Sequence, residues 1–183
     1  MERSAVTAAV AALAVFTAGC SSVGDTPAPE STSTATSLAA EVPIGYNPCT
    51  DVPAAVMAAE RQESTGRADA DAPNGVKWRG CGWVMNTGSG YGVRIRTTNL
   101  TLSMVRDRNL PDTHEFAIES RQAVSTRREN DDTGCWVNVE MKGGTLEFLI
   151  DNPKSNKDTG QIDACQIAKD LAVKVVPSIP ASA

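Results

Sequence analysis

The chain has little of what catalytic and nucleic-acid-binding sites are made from. Only one of its 183 residues, His114, is a histidine, so a Ser/His/Asp set, a Cys/His pair or a zinc site would depend on one imidazole in a polar segment. The formal net charge is −5, and Lys and Arg are scattered without a basic tail. We therefore expect a surface histidine, no metal, no cofactor and no nucleic-acid partner.

Motifs for redox, calcium and phosphate chemistry are also missing. No two cysteines form a C-x-x-C pair, and no D-x-D-x-D-G loop occurs. The glycines at 88, 90 and 92 join two predicted strands instead of opening a helix that would hold a phosphate. The sequence therefore predicts a non-enzymatic protein. The open alternative is a secreted hydrolase whose loop carboxylates, such as Asp131 and Asp151, converge to about 5 to 10 Å.

One apolar run, residues 4–19, stands at the start of the chain. It is shorter than the roughly 20 apolar residues of a membrane-spanning helix, and it ends in Ala-Gly before Cys20, as at sites cut by lipoprotein signal peptidase. Residues 1–19 are thus predicted to be a signal peptide, and Cys20 to carry a lipid that anchors the chain at the extracytoplasmic face of the cell membrane. An ordinary secretory signal, with Cys20 a spare thiol, is the alternative.

Composition divides the remaining chain into three parts. Residues 20–43 are mostly Ser, Thr, Ala and Pro, which predicts a disordered tether. Residues 44–177 have the length of a single domain with one core, and residues 178–183 are a short tail. No second hydrophobic run is long enough to span a membrane.

Hydrophobic patterns predict the elements of this domain. Two hairpins are expected, at residues 77–98 and 134–150, because alternating segments flank glycine-containing turns. Residues 115–127 fit a helix or two strands, and strands are favoured. Residues 164–175 repeat apolar side chains at helical spacing after Asp163. The prediction is an α+β fold: a mainly antiparallel sheet of about six short strands flanked by N- and C-terminal helices.

Besides Cys20 the chain has four cysteines, an even number that indicates two disulfides in an exported protein. Three connectivities are possible. Cys81 and Cys135 both point to the apolar face of predicted strands, whereas Cys49 and Cys165 lie at the terminal helices. We therefore predict the disulfides Cys81–Cys135 and Cys49–Cys165.

One group of residues forms a candidate ligand face. In the predicted register, Arg94 and Arg96 lie on the face away from the core, beside Gly80 and Gly82 and near Trp78. Two guanidinium groups and an indole suit an anionic or lipid head group, over a trough left by the glycines. The alternative is that both arginines only solvate the outer face or pair with carboxylates.

Four segments carry a resemblance to a known family: the residues 48–53 (Pro-Cys-Thr-Asp-Val-Pro), 81–83 (Cys-Gly-Trp), 134–139 (Gly-Cys-Trp-Val-Asn-Val) and 163–168 (Asp-Ala-Cys-Gln-Ile-Ala). In their order and spacing the chain resembles the actinobacterial lipoproteins of domain of unknown function 3558. The likeness covers residues 46–176 and the leader. It implies a small cell-envelope lipoprotein and carries no established activity.

The expected function is that of a lipid-anchored envelope domain. Its partners would be the membrane, through lipidated Cys20, and a small anionic or lipid ligand or an envelope protein. A hydrolase and a purely structural surface protein remain alternatives.

Overall fold

The computed structural model describes residues 37–183. The predicted signal peptide, the lipidation site at Cys20 and most of the predicted tether lie outside the described residues. Between residues 37 and 183, no helix is both long and apolar enough to cross a membrane.

A single sheet of eight strands, all paired antiparallel, forms the centre of the domain. Its strand order is β1-β3-β4-β8-β7-β6-β5, with β2 pairing the same edge of β3 as β1. The strands are β1 (Gln62–Arg67), β2 (Ala70–Asp71), β3 (Lys77–Met85), β4 (Gly92–Thr98), β5 (His114–Ile118), β6 (Arg121–Thr126), β7 (Gly134–Met141) and β8 (Gly144–Asp151).

Four α-helices accompany the sheet: α1 (Pro48–Asp51), α2 (Ala54–Ala59), α3 (Leu102–Arg106) and α4 (Ala164–Val175). The N-terminus of α4 is capped by Asp163, whose side chain accepts hydrogen bonds from the backbone N–H groups of Cys165 and Gln166. A short 3₁₀ turn, Val176–Ser178, follows α4.

These elements confirm the α+β antiparallel fold predicted from the sequence. The two central hairpins form where glycine-containing turns were expected, and residues 115–127 form strands. His114 is exposed at the start of β5, as expected. The two strands that the sequence pattern missed, β1 and β2, are mostly exposed and polar, so they show no apolar alternation.

The sheet has two different faces. The core face packs against α4, and its buried side chains include Cys81, Trp83, Val93, Ile95, Cys135, Val137, Val139, Phe148 and Ile150. The alternating residues of the same strands point to the opposite side, which we call the outer face. Helix α3 covers part of the outer face through a smaller cluster of Val76, Leu100, Leu102, Val105 and Val124.

The predicted disulfide connectivity is wrong: the structure pairs Cys49 with Cys81 and Cys135 with Cys165. The sheet order explains the error. Strands β3 and β7 are separated by β4 and β8, so at the normal spacing of strands they lie about 14 Å apart, too far for a disulfide between Cys81 and Cys135. Both sulfurs do point to the core face, but each meets the helix packed above it. One disulfide therefore joins α1 to β3, and the other joins α4 to β7.

The packed domain extends beyond the predicted limits of residues 44–177. At the N-terminal side, Leu38 contacts the α3 cluster and the Ala39 carbonyl accepts a hydrogen bond of 2.7 Å from Asn99. At the C-terminal side, Ile179 is buried and the carbonyl of Ala183 accepts a hydrogen bond from Arg121. The last residues of the predicted tether and the predicted tail thus belong to the domain, because apolar side chains and backbone hydrogen bonds attach them.

The connectivity predicts a simple peptide map. Trypsin cuts after Arg79, Arg94, Arg128, Lys142, Lys157 and Lys169, so each of the four cysteines falls in its own peptide. Without reduction, peptide 80–94 should be linked to the peptide that ends at residue 61, and peptide 129–142 to peptide 158–169. A link between 80–94 and 129–142 would contradict the structure.

Each disulfide should also stabilise the fold. For loops of this length the chain-entropy account gives about 3–4 kcal/mol per disulfide. We expect the double substitution Cys135→Ala with Cys165→Ala to lower the free energy of unfolding by that amount in urea titrations of the purified chain with its other disulfide intact. An unchanged midpoint would show that this disulfide adds no stability.

Candidate ligand groove on the outer face

The outer face carries two rows of side chains that cross the central strands. The antiparallel register aligns Gly82, Arg94, Leu149, Trp136 and Thr126 in the first row, on β3, β4, β8, β7 and β6. Because paired residues of neighbouring strands point to the same side, a cation, an aliphatic chain and an indole lie next to one another.

The second row lies two residues away along each strand, which is the next position on the same face. It consists of Gly80, Arg96, Glu147, Asn138 and Val124. Val124 contacts the cluster under α3, so this row runs from open sheet to the covered side.

Helix α3 and the segment after it form the wall of a groove above these rows. The side-chain oxygen of Thr101 accepts from the backbone of Met104 and caps α3, and Val105 anchors the helix on the sheet. The groove encloses about 460 Å³. Its lining is apolar at Trp78, Leu100, Val105, Leu110, Trp136 and Leu149, and positively charged at Arg94, Arg96, Arg108 and Arg128.

Three side chains in the floor of the groove form a buried polar cluster. The Arg96 guanidinium donates two hydrogen bonds to Glu147, at 3.1 Å from Nε and 2.5 Å from Nη2. The indole Nε1 of Trp78 donates to the other carboxylate oxygen at 3.0 Å, and the Arg96 guanidinium lies 5.5 Å from the Trp78 ring centre. The side chains of Arg96 and Glu147 are only 10% and 5% exposed. The charge of Arg96 is therefore neutralised within the protein.

Arg94 and Arg128 are exposed at the mouth of the groove. The Arg128 guanidinium stacks over Trp136, 4.8 Å from the ring centre, which holds this cation beside an apolar surface. Within residues 37–183, neither Arg94, Arg108 nor Arg128 takes part in an ion pair. These three cations are the ones available to an incoming anion.

The sequence-predicted ligand face is therefore assembled in part. Trp78, Arg94 and Arg96 do lie in one groove, but the glycines do not form its trough. A Cβ at Gly80 would come within 2.2 Å of the Ile95 carbonyl oxygen, so this glycine permits a close approach between strands. Gly82 lies under Thr65 and lines a separate hollow of about 320 Å³, which shares Arg94 and Leu149 with the groove.

Sequence reasoning missed the half of the groove contributed by Trp136, Glu147, Leu149 and Arg128. The alternation in β7 and β8 does place the first three on the outer face. The sequence did not predict that β4 pairs with β8, since the two strands are separated by more than 45 residues along the chain.

The proposed hydrolase pair is not brought into one cavity. Asp131 lines a wide, polar hollow of about 910 Å³ formed by the loops at 127–132 and 152–163, whereas Asp151 lines the hollow beside Gly82. Partial burial would raise the pKa of Asp131, but hydrogen bonds from the Thr133 hydroxyl and from the backbone of Gly134 and Thr133 outweigh it and lower that pKa. A lowered pKa is unsuited to a general acid.

The wide hollow also contains Arg127, whose guanidinium pairs with Asp112 at 3.4 Å and with Asp163. These groups satisfy one another and hold the β6 end near the start of α4.

Among residues 37–183, no group of three or more His, Cys, Asp or Glu side chains is arranged to hold a metal ion.

Comparison with known proteins gives the class of this domain. Residues 15–178 match the family described as protein of unknown function (DUF3558), and the chain belongs to that family. No curated protein and no solved structure matches the chain.

The buried cluster makes a stability prediction. Substituting Glu147→Ala leaves the Arg96 charge buried without its partner, which should lower the free energy of unfolding by about 3–5 kcal/mol. The double substitution Arg96→Met with Glu147→Leu removes both charges and should be much less destabilising. Urea unfolding of the three proteins measures the difference. Equal losses in the single and double variants would show that packing, and not charge pairing, dominates at this position.

Proposed function

We propose that the chain is a lipid-anchored, extracytoplasmic lipoprotein of the cell envelope, of the actinobacterial type, that binds a small anionic or amphiphilic ligand without chemical conversion. The apolar leader ending in Ala-Gly-Cys20 supports the anchor and the location. Two disulfides support an oxidising compartment.

The groove on the outer face carries the binding proposal. The observation that carries it is Arg94, an exposed cation without an ion-pair partner in the described chain, which lies opposite Leu149 and in the row next to the buried Arg96–Glu147 pair. Nine of the sixteen Lys and Arg side chains in residues 37–183 form an ion pair with a carboxylate, for example Arg79 with Asp71. An unpaired cation in a groove lined by apolar side chains is typical of a site that receives an anion from outside.

Binding is favoured over hydrolysis by the chemistry of the lining. The groove contains one carboxylate, Glu147, and both of its oxygens accept hydrogen bonds from Arg96 or Trp78. Glu147 therefore holds Arg96 and Trp78 in place, and the groove lacks the second carboxylate that glycoside hydrolysis uses.

The anchor is tested by changing Cys20. The substitution Cys20→Ala should abolish incorporation of labelled palmitate and move the expressed chain from the detergent phase to the aqueous phase on Triton X-114 partition, because the thioether site is lost. Ser21→Ala is the matched control and should stay in the detergent phase. Palmitate labelling that persists in the Cys20→Ala variant would contradict the lipoprotein assignment.

The ligand is tested by native mass spectrometry of the full chain extracted from the envelope in mild detergent. We expect a reproducible added mass that the Arg94→Ala variant loses. The matched control is Arg61→Ala, an exposed arginine on the other side of the domain beside Asp158. An added mass retained by the Arg94→Ala variant, or absent from the native chain, would contradict binding in the groove.

A further inference from the structure

The groove and the start of the domain lie on the same side of the sheet. Leu38 packs against the cluster that contains Leu100 and Val105, and both of those residues also line the groove. Glu41 pairs with Lys77 at 2.5 Å, next to Trp78. The chain therefore joins the domain at one end of the groove.

The distance from that point to the predicted anchor is short. Residues 21–37 separate Cys20 from Leu38, and a chain of this length spans at most about 60 Å when fully extended. A tether of that length, joined on the groove side, keeps the groove at a high effective concentration near the membrane surface.

The charge of the groove complements an anionic membrane. Its lining has four arginines and one carboxylate, in a protein whose formal net charge is −5. Arginines near an anionic lipid surface each contribute about five-fold to binding, and this attraction falls with salt. The groove side of this acidic domain is therefore the side that such a surface would attract.

The apolar part of the lining favours a lipid over a simple anion as the ligand of the groove. Trp78, Trp136, Leu110 and Leu149 present rings and aliphatic chains next to the arginines. Indoles and arginines with apolar stems are the side chains that lie at the boundary between head groups and hydrocarbon. Inorganic phosphate would use the cations and leave this surface exposed to water.

We infer that the groove receives the anionic head group and adjoining hydrocarbon of a phospholipid in the membrane that holds the anchor, so that the outer face of the sheet docks on that membrane. This inference rests on the proposed function, because it uses the anchor at Cys20 and the groove as binding site. Arg94 and Arg128 contact the phosphate, and Trp136 lies against the hydrocarbon.

The three tryptophans of the chain provide the readout. Trp78 and Trp136 are half-buried in the groove, whereas Trp83 is buried on the core face. The full chain, purified from the envelope, is reconstituted into vesicles of brominated phosphatidylglycerol in unbrominated phosphatidylcholine, and in parallel into the inverse mixture with bromine only on phosphatidylcholine. We expect strong quenching of tryptophan fluorescence in the first vesicles and several-fold weaker quenching in the second at equal bromine content.

Variants and salt define the contribution of charge. The double substitution Arg94→Ala with Arg128→Ala should make quenching by the two brominated lipids equal, as should raising the salt concentration to about 0.5 M, because both remove the attraction between the arginines and the anionic head group. The control, Arg61→Ala with Lys142→Ala, removes two exposed cations outside the groove and should keep the preference.

Each other outcome overturns the inference. Equal quenching by the two brominated lipids would show that charge does not select the occupant. Quenching abolished by millimolar inorganic phosphate would indicate a soluble anion. Absence of quenching together with an Arg94-dependent added mass in native mass spectrometry would leave the binding function in place and remove the membrane as its ligand, whereas absence of both would remove the proposed binding function as well.

Discussion

The structure depends on the side-chain alternation of the central strands β4 and β8. Ile95 and Phe148 point to the core face and are fully buried under α4, while their neighbours Arg96 and Glu147 point to the outer face. A register shift of one residue would exchange these sets and put a charged pair under the helix. Because burying charged groups among apolar side chains is costly, the apolar core and the polar groove together determine the register of these strands.

The disulfides reinforce this two-sided arrangement. Each of them joins a core-facing cysteine of the sheet to a helix: Cys81 to α1 and Cys135 to α4. Helix α4 is also attached by apolar contact with the sheet and by the ion pair between Arg127 and Asp163, its N-cap. The covalent links keep the core side closed while the outer side stays open at the groove.

The buried ion pair between Arg96 and Glu147 forms the floor of the groove. It fills the floor with satisfied polar groups and orients the Trp78 indole through a direct hydrogen bond. The remaining arginines, Arg94, Arg108 and Arg128, then lie in a lining that contains no other carboxylate. If the groove binds an anion as proposed, this hydrogen-bonded floor would lower the cost of binding, since little order would have to be gained.

Local sequence patterns were sufficient for the hairpins, the last helix with its Asp163 cap, and the sheet face on which Cys81, Cys135, Arg94 and Arg96 lie. Those properties depend on neighbours within a few residues along the chain. The strand order, the disulfide partners of Cys81 and Cys135, and the meeting of Arg96 with Glu147 and of Arg128 with Trp136 were decided only by the tertiary structure. They require strands distant in sequence to lie side by side, and the similar alternation of the central strands leaves their order open until the whole sheet is packed against its helices.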